Sequence, residues 1–475
     1  DAFESCWDER FTETSRTPSS LHLDNHSLWE GKTFAVRCFK IIMYSIQSQH
    51  SHLVIQQLLG HLDANSKNSA RVRAGIVEVI SEAAVIEASG SIGPTVLEVF
   101  NTLLKQLRLS VDYELTGSYD SFANMGTKVI KVHEERQLQE SVIKTIGSFA
   151  NTLPTYQRSE VMLFIIGKIP VPGMYPALGS ANTGVEGSRM IQIMLLKSLL
   201  QVTAGFQSNN ILTALPTSFL DPLLSFTLME DAEIRLLVLD ILISIIDRHD
   251  NRHKFSPVRI ISDISILKLK VDKCSRQDNL FMKKHSHRLY RHIYLACKED
   301  SSVQRHFESL HTLLGLICVE LANEEVVVDL IRLALALQDL ALTDDTLPVY
   351  SRCAIHALSA AYLNLISQLT TVPTFCQHVH EGEMLFAQAK IAEMLGGSGY
   401  NTERLATAYI PQITDEDRLS KRKSIGDTVS LQLEMESRNS PEKEQRFQTA
   451  PFEEIAAHCG ARVIYEMKFP DLCVY

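Results

Sequence analysis

The sequence predicts an all-α protein, an armadillo/HEAT-like helical-repeat solenoid rod ending in a mostly disordered C-terminal linker and a short docking helix. Three observations predict the rod. Apolar residues recur at helical spacing along most of the 475 positions. Glycine and proline, at 21 and 15 residues, are too few for an all-β chain of tight turns and sit between the periodic stretches. A local pattern also returns, in which a polar or acidic entry leads to a β-branched residue, Arg and then Leu/Ile/Ala spacing. It is seen at Ala70-Arg71-Val72-Arg73-Ala74 and at Glu233-Ile234-Arg235-Leu236. Arg189 and Arg235 stand 46 positions apart, inside the ~40–47-residue period of such repeats. From Arg73 to Arg189 the period holds only if one unit is degenerate. Helix pairs of this kind cannot each bury an apolar face alone, so neighbours stack; a long bundle is the alternative.

The predicted helices follow in order. Ser69–Ala84, Gln137–Thr152 and Ser188–Thr203 come first, then Asp231–Asp247, Glu325–Leu342 and Tyr350–Leu369. In Asp231–Asp247 the residues Ile234, Leu237, Val238, Ile241 and Ile245 fall at i, i+3, i+4, i+7 and i+11, a core-facing stripe. Asp231 is placed to cap that helix, because its carboxylate accepts from the free N–H groups of the first turn. Cys38 lies in a helical pattern as well. Ser91–Pro94, Leu153–Thr155 and Ile169–Gly173 punctuate the series. Strand-like alternation is confined to Ile260–Val271 and to the last dozen residues.

The rod is assigned to residues 1–410. From Pro411 the composition changes, and 411–446, with DEDRLSKRKS and SRNSPEKEQR, reads as a charged flexible linker. Residues 447–475 follow as a docking helix and an extended tail. Pro451 stands in the first turn of that helix, and Phe452, Ile455 and Ala456 line one face. An apolar helix beyond a linker docks on a partner or on its own rod.

Composition excludes several classes. Apolar residues make up 45% and charged residues 21%, so the chain is globular over most of its length. Net charge is −10, which argues against coating nucleic acid by bulk charge. Nine scattered cysteines suggest reduced thiols. No run reaches the ~18 apolar residues of a bilayer-spanning helix. The chain starts at Asp1 without a Met or a signal-peptide pattern, and reads as a soluble cytosolic polypeptide, with the question of a missing true N-terminus left open.

Enzyme signatures are broken. Gly31-Lys32-Thr33 is the second half of a phosphate-binding loop, but His26 occupies the position of the first glycine. Gly396-Gly397-Ser398-Gly399 misses a hydrolase elbow because Tyr400 stands where glycine is required. His249 and His253, at i and i+4, could share a helix face, and Cys376, His378 and His380 alternate. Neither supplies the four ligands of a zinc site, and surface or loop histidine is the plainer reading of both. No catalytic residue, cofactor or metal is expected.

One charge feature stands out. Arg248–Lys298 holds 13 Lys/Arg against 4 Asp and no Glu, a local +9 that leaves −19 for the remainder. Its candidate anionic-surface residues are Lys268, Lys270, Lys273, Arg276, Lys283, Lys284, Arg288 and Arg291, interleaved with Leu280, Phe281, Tyr290 and Tyr294. Such a patch suits anionic lipid, at ~1 kcal/mol per basic residue near the surface, or an acidic partner. A solvated loop and helix face between repeats is the bland alternative.

Seven stretches carry a family resemblance: Leu289–Lys298, Glu320–Asp339, Val372–Val379, Leu395–Leu405, Gln412–Ser424, Ala450–Ala457 and Tyr465–Tyr475. Together, and in this order, they resemble the Efr-three / rolling blackout (stambhA) family, the plasma-membrane scaffold of the type III alpha phosphatidylinositol 4-kinase complex. The resemblance implies a non-catalytic rod on the cytoplasmic face of the plasma membrane. It would recruit the kinase subunit, a tetratricopeptide-repeat subunit and hyccin so that phosphatidylinositol 4-phosphate is made there. It places partner binding in the C-terminal region, which assigns Phe447, Phe452, Ile455 and Ala456 as apolar contacts and Glu453 and Glu454 as rim charges. Three departures qualify it. The family's acylated cysteine cluster is absent, since Cys6 stands alone, so this form would be cytosolic if that anchor is truly missing. The joins at His380-Glu381-Gly382 and between Cys459 and Val463 are shorter than in relatives. An armadillo-type peptide-binding adaptor is the competing function, and a cryptic lipid hydrolase, lacking an elbow serine, the third.

Overall fold

The computed structural model describes residues 37–46, 48–86, 95–119, 130–170, 184–261 and 263–383. The linker, the docking helix with Phe447, Phe452, Glu453, Glu454, Ile455 and Ala456, the tail, Gly31-Lys32-Thr33 and Gly396–Gly399 lie outside the described residues. Those described are helical, with irregular connections and no strand among them. They divide into two compact units, the first reaching Gly205 and the second starting at Phe206.

In the first unit a helical stretch at 37–45, which includes Cys38, precedes α1 (Ser48–Ala64), α2 (Ala70–Ile86), α3 (Thr95–Thr116), α4 (Val132–Thr152), α5 (Thr155–Ile166) and α6 (Gly184–Thr203). Alternate helices pack on one another: α2 on α4, α4 on α6, α1 on α3. Sequential neighbours pack too, α3 on α4 and α5 on α6. Contact between each helix and the one two along is the arrangement of stacked repeats, in which each unit covers the apolar face that its neighbour leaves open. Helix α4 sits centrally and buries Leu138, Val142, Ile146 and Phe149. Its Gly147 permits close approach to α6, because a Cβ there would lie 3.1 Å from Cβ of Gln201.

The second unit repeats the scheme. Its helices are α7 (Ile211–Ala214), α8 (Thr217–Phe226), α9 (Ala232–Ile246), α10 (Arg252–Phe255), α11 (Arg276–Ala296), α12 (Gln304–Leu316), α13 (Glu324–Thr343), α14 (Val349–Thr370) and α15 (Pro373–His378). Wider π turns, Ile317–Leu321 and Val379–Glu383, extend α12 and α15. Helices α9, α12 and α14 stack in one layer, and α11 packs on α13 in the other. Asp231 caps α9 as its sequence predicts, accepting from the N–H groups of Glu233 and Ile234. Proline precedes α5, α8 and α14 and opens α15, where its missing N–H costs nothing; Pro222, inside α8, is the exception.

An arginine recurs at the fourth residue of α2, α5, α9 and α14, and its guanidinium donates to backbone carbonyls of a loop or of a helix's last turn. Arg73 reaches Asn68 (3.0 Å) and Arg235 reaches Met229 and Glu230 (2.8 and 2.9 Å). Arg158 reaches Val202 (2.7 Å) and Ala204, and Arg352 reaches Ala341 and Leu342 (2.8 and 3.3 Å). These four set the phase of the repeat, each separated from the next by two or three periods of ~40 residues. Arg189, the sequence-based mark, instead lies along α6 against Glu186 at 3.8 Å.

Two expectations need correction. Ile260–Val271 forms no strand: Ile264–Leu267 is a 3₁₀ turn capped by Asp263. The period-two pattern is real, since Leu267 and Leu269 are buried while Lys268 and Lys270 are exposed. Its hydrogen-bond partners, however, are side chains in place of a neighbouring strand. Asn251 both accepts from the Lys270 N–H (3.1 Å) and donates to its carbonyl (2.6 Å), and Asn364 donates to the Ile261 carbonyl at 2.9 Å. Likewise, His249 and His253 share no helix face, because α9 stops at Ile246 and His253 belongs to α10.

Candidate anionic-surface site

The basic block enters α11 through an extended run. Lys268, Lys270 and Lys273 are exposed along it, and on α11 so are Arg276, Lys283 and Lys284. Arg276, Leu280, Lys283 and His287 fall at i, i+4, i+7 and i+11, one outward stripe of the helix, opposite buried Phe281, Met282, His285 and Leu289. The stripe is open only in its first half. Arg288 is half-buried and ion-paired to Asp221 of α8, and Arg291 is half-buried with its Nε shielded from water. The exposed patch therefore comprises six of the eight residues singled out in the sequence.

Two exposed apolar side chains accompany these cations. Ile266, in the 3₁₀ turn before Lys268, is 66% exposed, and Leu280, between Arg276 and Lys283, is 44% exposed. Composition had pointed to Leu280 as interleaved, but not to Ile266.

Beneath the run lies an ionic cluster. The start of α11 is fixed by a capping box, Ser275 accepting from the Asp278 N–H and Asp278 from the Ser275 N–H. Buried Asp278 also takes Arg248 at 3.1 Å, and Arg248 reaches buried Glu320 in the π turn after α12, also at 3.1 Å. His249 bridges outward, Nδ1 2.9 Å from Glu320 and Nε2 2.8 Å from Asp272 of the basic run. Burial lowers the His249 pKa, but hydrogen bonds and charge from Glu320 and Asp272 outweigh it, so the imidazolium is favoured beyond the ordinary range. Burial likewise opposes the Arg248 charge, and the two carboxylates more than offset it. With both nitrogens protonated, His249 donates to a carboxylate on each side and tethers the Lys270–Lys273 segment to the helical stack.

The capping box was legible as Ser275-x-x-Asp278. Glu320 was not, since it stands 72 residues from Arg248 and only tertiary packing joins them. The Cys376/His378/His380 run is spent locally: the Cys376 thiol lies 3.1 Å from the Ser367 carbonyl, and His380 lies 3.3 Å from the Gln368 amide. Among the described residues no cluster of His, Cys, Asp and Glu could hold a metal ion, and no helix is long and apolar enough to cross a membrane.

Comparison with known proteins adds a second line of observation. A family model described as "EFR3, armadillo repeat" matches residues 17–425. The chain is 59% identical to human "Protein EFR3 homolog B" across 96% of its own length and 69% of the relative's. It is 65% identical to the zebrafish (Danio rerio) homolog B across 97% and 69%. Against the Caenorhabditis elegans "Protein EFR3 homolog" the figures are 37%, across 76% and 40%. The human alignment extends over 564 positions, more than the 475 of this chain, so that relative carries internal segments without a counterpart here. No solved structure matches.

Proposed function

Because the chain belongs to the EFR3 armadillo-repeat family, we propose that it is a non-catalytic scaffold. Its task in this reading is to recruit the phosphatidylinositol 4-kinase alpha complex to the cytoplasmic face of the plasma membrane for phosphatidylinositol 4-phosphate synthesis. The observation that carries the reading is the family match over residues 17–425. The partners are the tetratricopeptide-repeat subunit, hyccin and the kinase subunit, engaged through the segment that contains Phe447, Phe452, Glu453, Glu454, Ile455 and Ala456.

The exposed cations Lys268, Lys270, Lys273, Arg276, Lys283 and Lys284 then face the anionic leaflet. Each contributes ~1 kcal/mol near such a surface, so six together give a weak, salt-sensitive attachment, while Ile266 and Leu280 add apolar contact at the headgroup boundary. A stacked-helix body suits this role, since it holds a charged face and a docking segment on one chain and needs no chemistry of its own.

A pull-down compares the full chain with a version ending at Lys443. Recovery of all three subunits by the full chain alone is the expected result. Equal recovery by the shortened chain would remove the C-terminal segment from the reading, and recovery by neither would overturn the scaffold role.

A further inference from the structure

In the first unit, α3 and α6 do not close completely. Between them lies a cavity of about 200 Å³ lined by Leu104, Leu107, Val111, Ile191, Met194 and Leu195. Three cations, Lys105, Arg108 and Lys168, complete the lining with Asn101, and no carboxylate is among the lining residues. The cavity is partly open to solvent and mostly apolar in its lining, and its volume is enough for a small ligand, since an engineered, closed cavity of about 150 Å³ already takes up benzene.

We infer that this cavity binds a small anionic amphiphile, a carboxylate of roughly seven or eight carbons, with its tail among the leucines and its head at the cations. Tail length follows from volume, at about one water's share of ~30 Å³ per methylene. Head charge follows from the neighbouring acids. Lys105 is paired with exposed Asp63 at 3.1 Å. Arg108 feels Asp112 one turn away on α3, without an ion pair between them among the described contacts. Lys168 stands 5.1 Å over the Phe164 ring, which carries no net charge. Three cations against two carboxylates leave one positive charge, which suits a monoanion better than a dianionic phosphate.

The local energetics favour such a ligand. Burial lowers the Arg108 pKa, with Asp112 only partly restoring it, and one Asp112 carboxylate oxygen is buried without a hydrogen bond. Arg108 is thus a partly buried cation lining the cavity, with Asp112 nearby but not ion-paired to it among the described contacts, and a bound carboxylate would offset the rest of its desolvation. The inference is independent of the scaffold reading, for it uses no residue of the second unit.

The test uses the intact 475-residue chain. The probe is 8-anilinonaphthalene sulfonate, an amphiphilic monoanion, displaced by octanoate and followed by fluorescence and calorimetry. Expected is saturable one-to-one displacement by octanoate, with 1-octanol at least tenfold weaker because it lacks the charge. The K105Q/R108Q pair should weaken octanoate tenfold or more, and R108K should restore part of the loss. Met194→Phe should abolish binding while the circular-dichroism melting point holds or rises, as expected when a void is filled. If the double variant fails to fold, Lys168→Gln reads the same charge from the cavity's other side. The proposal falls if octanol competes as well as octanoate, which would leave a packing void only, or if octyl phosphate binds more tightly. Binding unchanged in Met194→Phe, or no saturable binding at all, also overturns it.

Discussion

Replacing Arg235 with methionine tests whether the buried arginines set the stacking of the helices. Arg235 is 1% exposed. It donates from Nη1 to the carbonyls of Met229 and Glu230, and from Nη2 to the hydroxyls of Ser301 and Ser302 at 2.9 and 3.1 Å. Four groups from two separate loops thus converge on one fork. Methionine keeps the stem and its packing but leaves the acceptors behind. Ser301 still donates to the Glu230 carbonyl at 3.0 Å, so the orphaned groups reduce to the Met229 carbonyl and the Ser302 hydroxyl. An unsatisfied buried polar group costs about 1–3 kcal/mol. Part of that is returned, because burial already lowers the Arg235 pKa and a neutral side chain removes the charge from its desolvated site. A net loss of about 2–4 kcal/mol follows. Arg235→Lys, whose ammonium cannot span both pairs, should lose about half as much. Urea unfolding followed by far-ultraviolet circular dichroism reads this as a lowered midpoint. A midpoint for Arg235→Met within about 0.5 kcal/mol of the parent would refute the argument and reduce the repeated arginine to a passive feature.

Three further outcomes are expected. His249→Gln should destabilise the second unit by about 1–2 kcal/mol at pH 6 and progressively less above it. The native pKa is raised, so the contribution is fully present below the unfolded value of ~6.5 and vanishes as pH rises through the higher native one; a difference that grows with pH would contradict the cluster geometry. Changing Lys270, Lys273, Lys283 and Lys284 together to glutamine should release the chain from phosphatidylserine vesicles at physiological salt without altering its melting point, since all four are exposed; unchanged co-sedimentation would exclude the patch. Gly315→Ala should cost about 1–3 kcal/mol, because the added Cβ would sit 2.9 Å from Cγ of Phe255, and a neutral result in thermal unfolding would show that α10 moves freely against α12.

The helices were legible because their signal is local. Asp231 begins α9 and Asn323 begins α13 by capping chemistry written within three residues, and the apolar stripes between them follow the helical period. For the six helices predicted from the sequence the boundaries agree to within five residues, whereas α1, α3, α5, α8, α11 and α12 are not among those predicted. Long-range features were not legible. The alternation within Ile260–Val271 gave the correct faces over Leu267–Lys270 but left Ile266 exposed, and nothing nearby in sequence reveals that Asn251 and Asn364 take the place of a partner strand. The cavity between α3 and α6 is equally silent, since Leu107 and Leu195 look like any other core leucines in the sequence and are buried like them.

The cationic surface shows why a charge count overreads a sequence. A charge count treats every Lys and Arg of Arg248–Lys298 alike, but the fold turns several of the arginines inward. Arg248 turns inward to Asp278 and Glu320, Arg288 pairs with Asp221, and Arg291 is half-buried. Among the eight residues singled out in the sequence the exposed remainder is five lysines and Arg276, and elsewhere in the block Arg252 and Arg259 are exposed as well. The same division runs through the described residues: Arg73, Arg158, Arg235 and Arg332 are buried, and no lysine is. Guanidinium is planar, weakly hydrated and able to satisfy several carbonyls at once, whereas ammonium is compact and strongly hydrated. In stacked helices, where each loop leaves carbonyls to be satisfied, arginine is drawn into the joints and lysine stays in water. Positive surface in such a protein is therefore better read from its lysines, and the arginines at the fourth residue of a helix are better read as marks of the repeat.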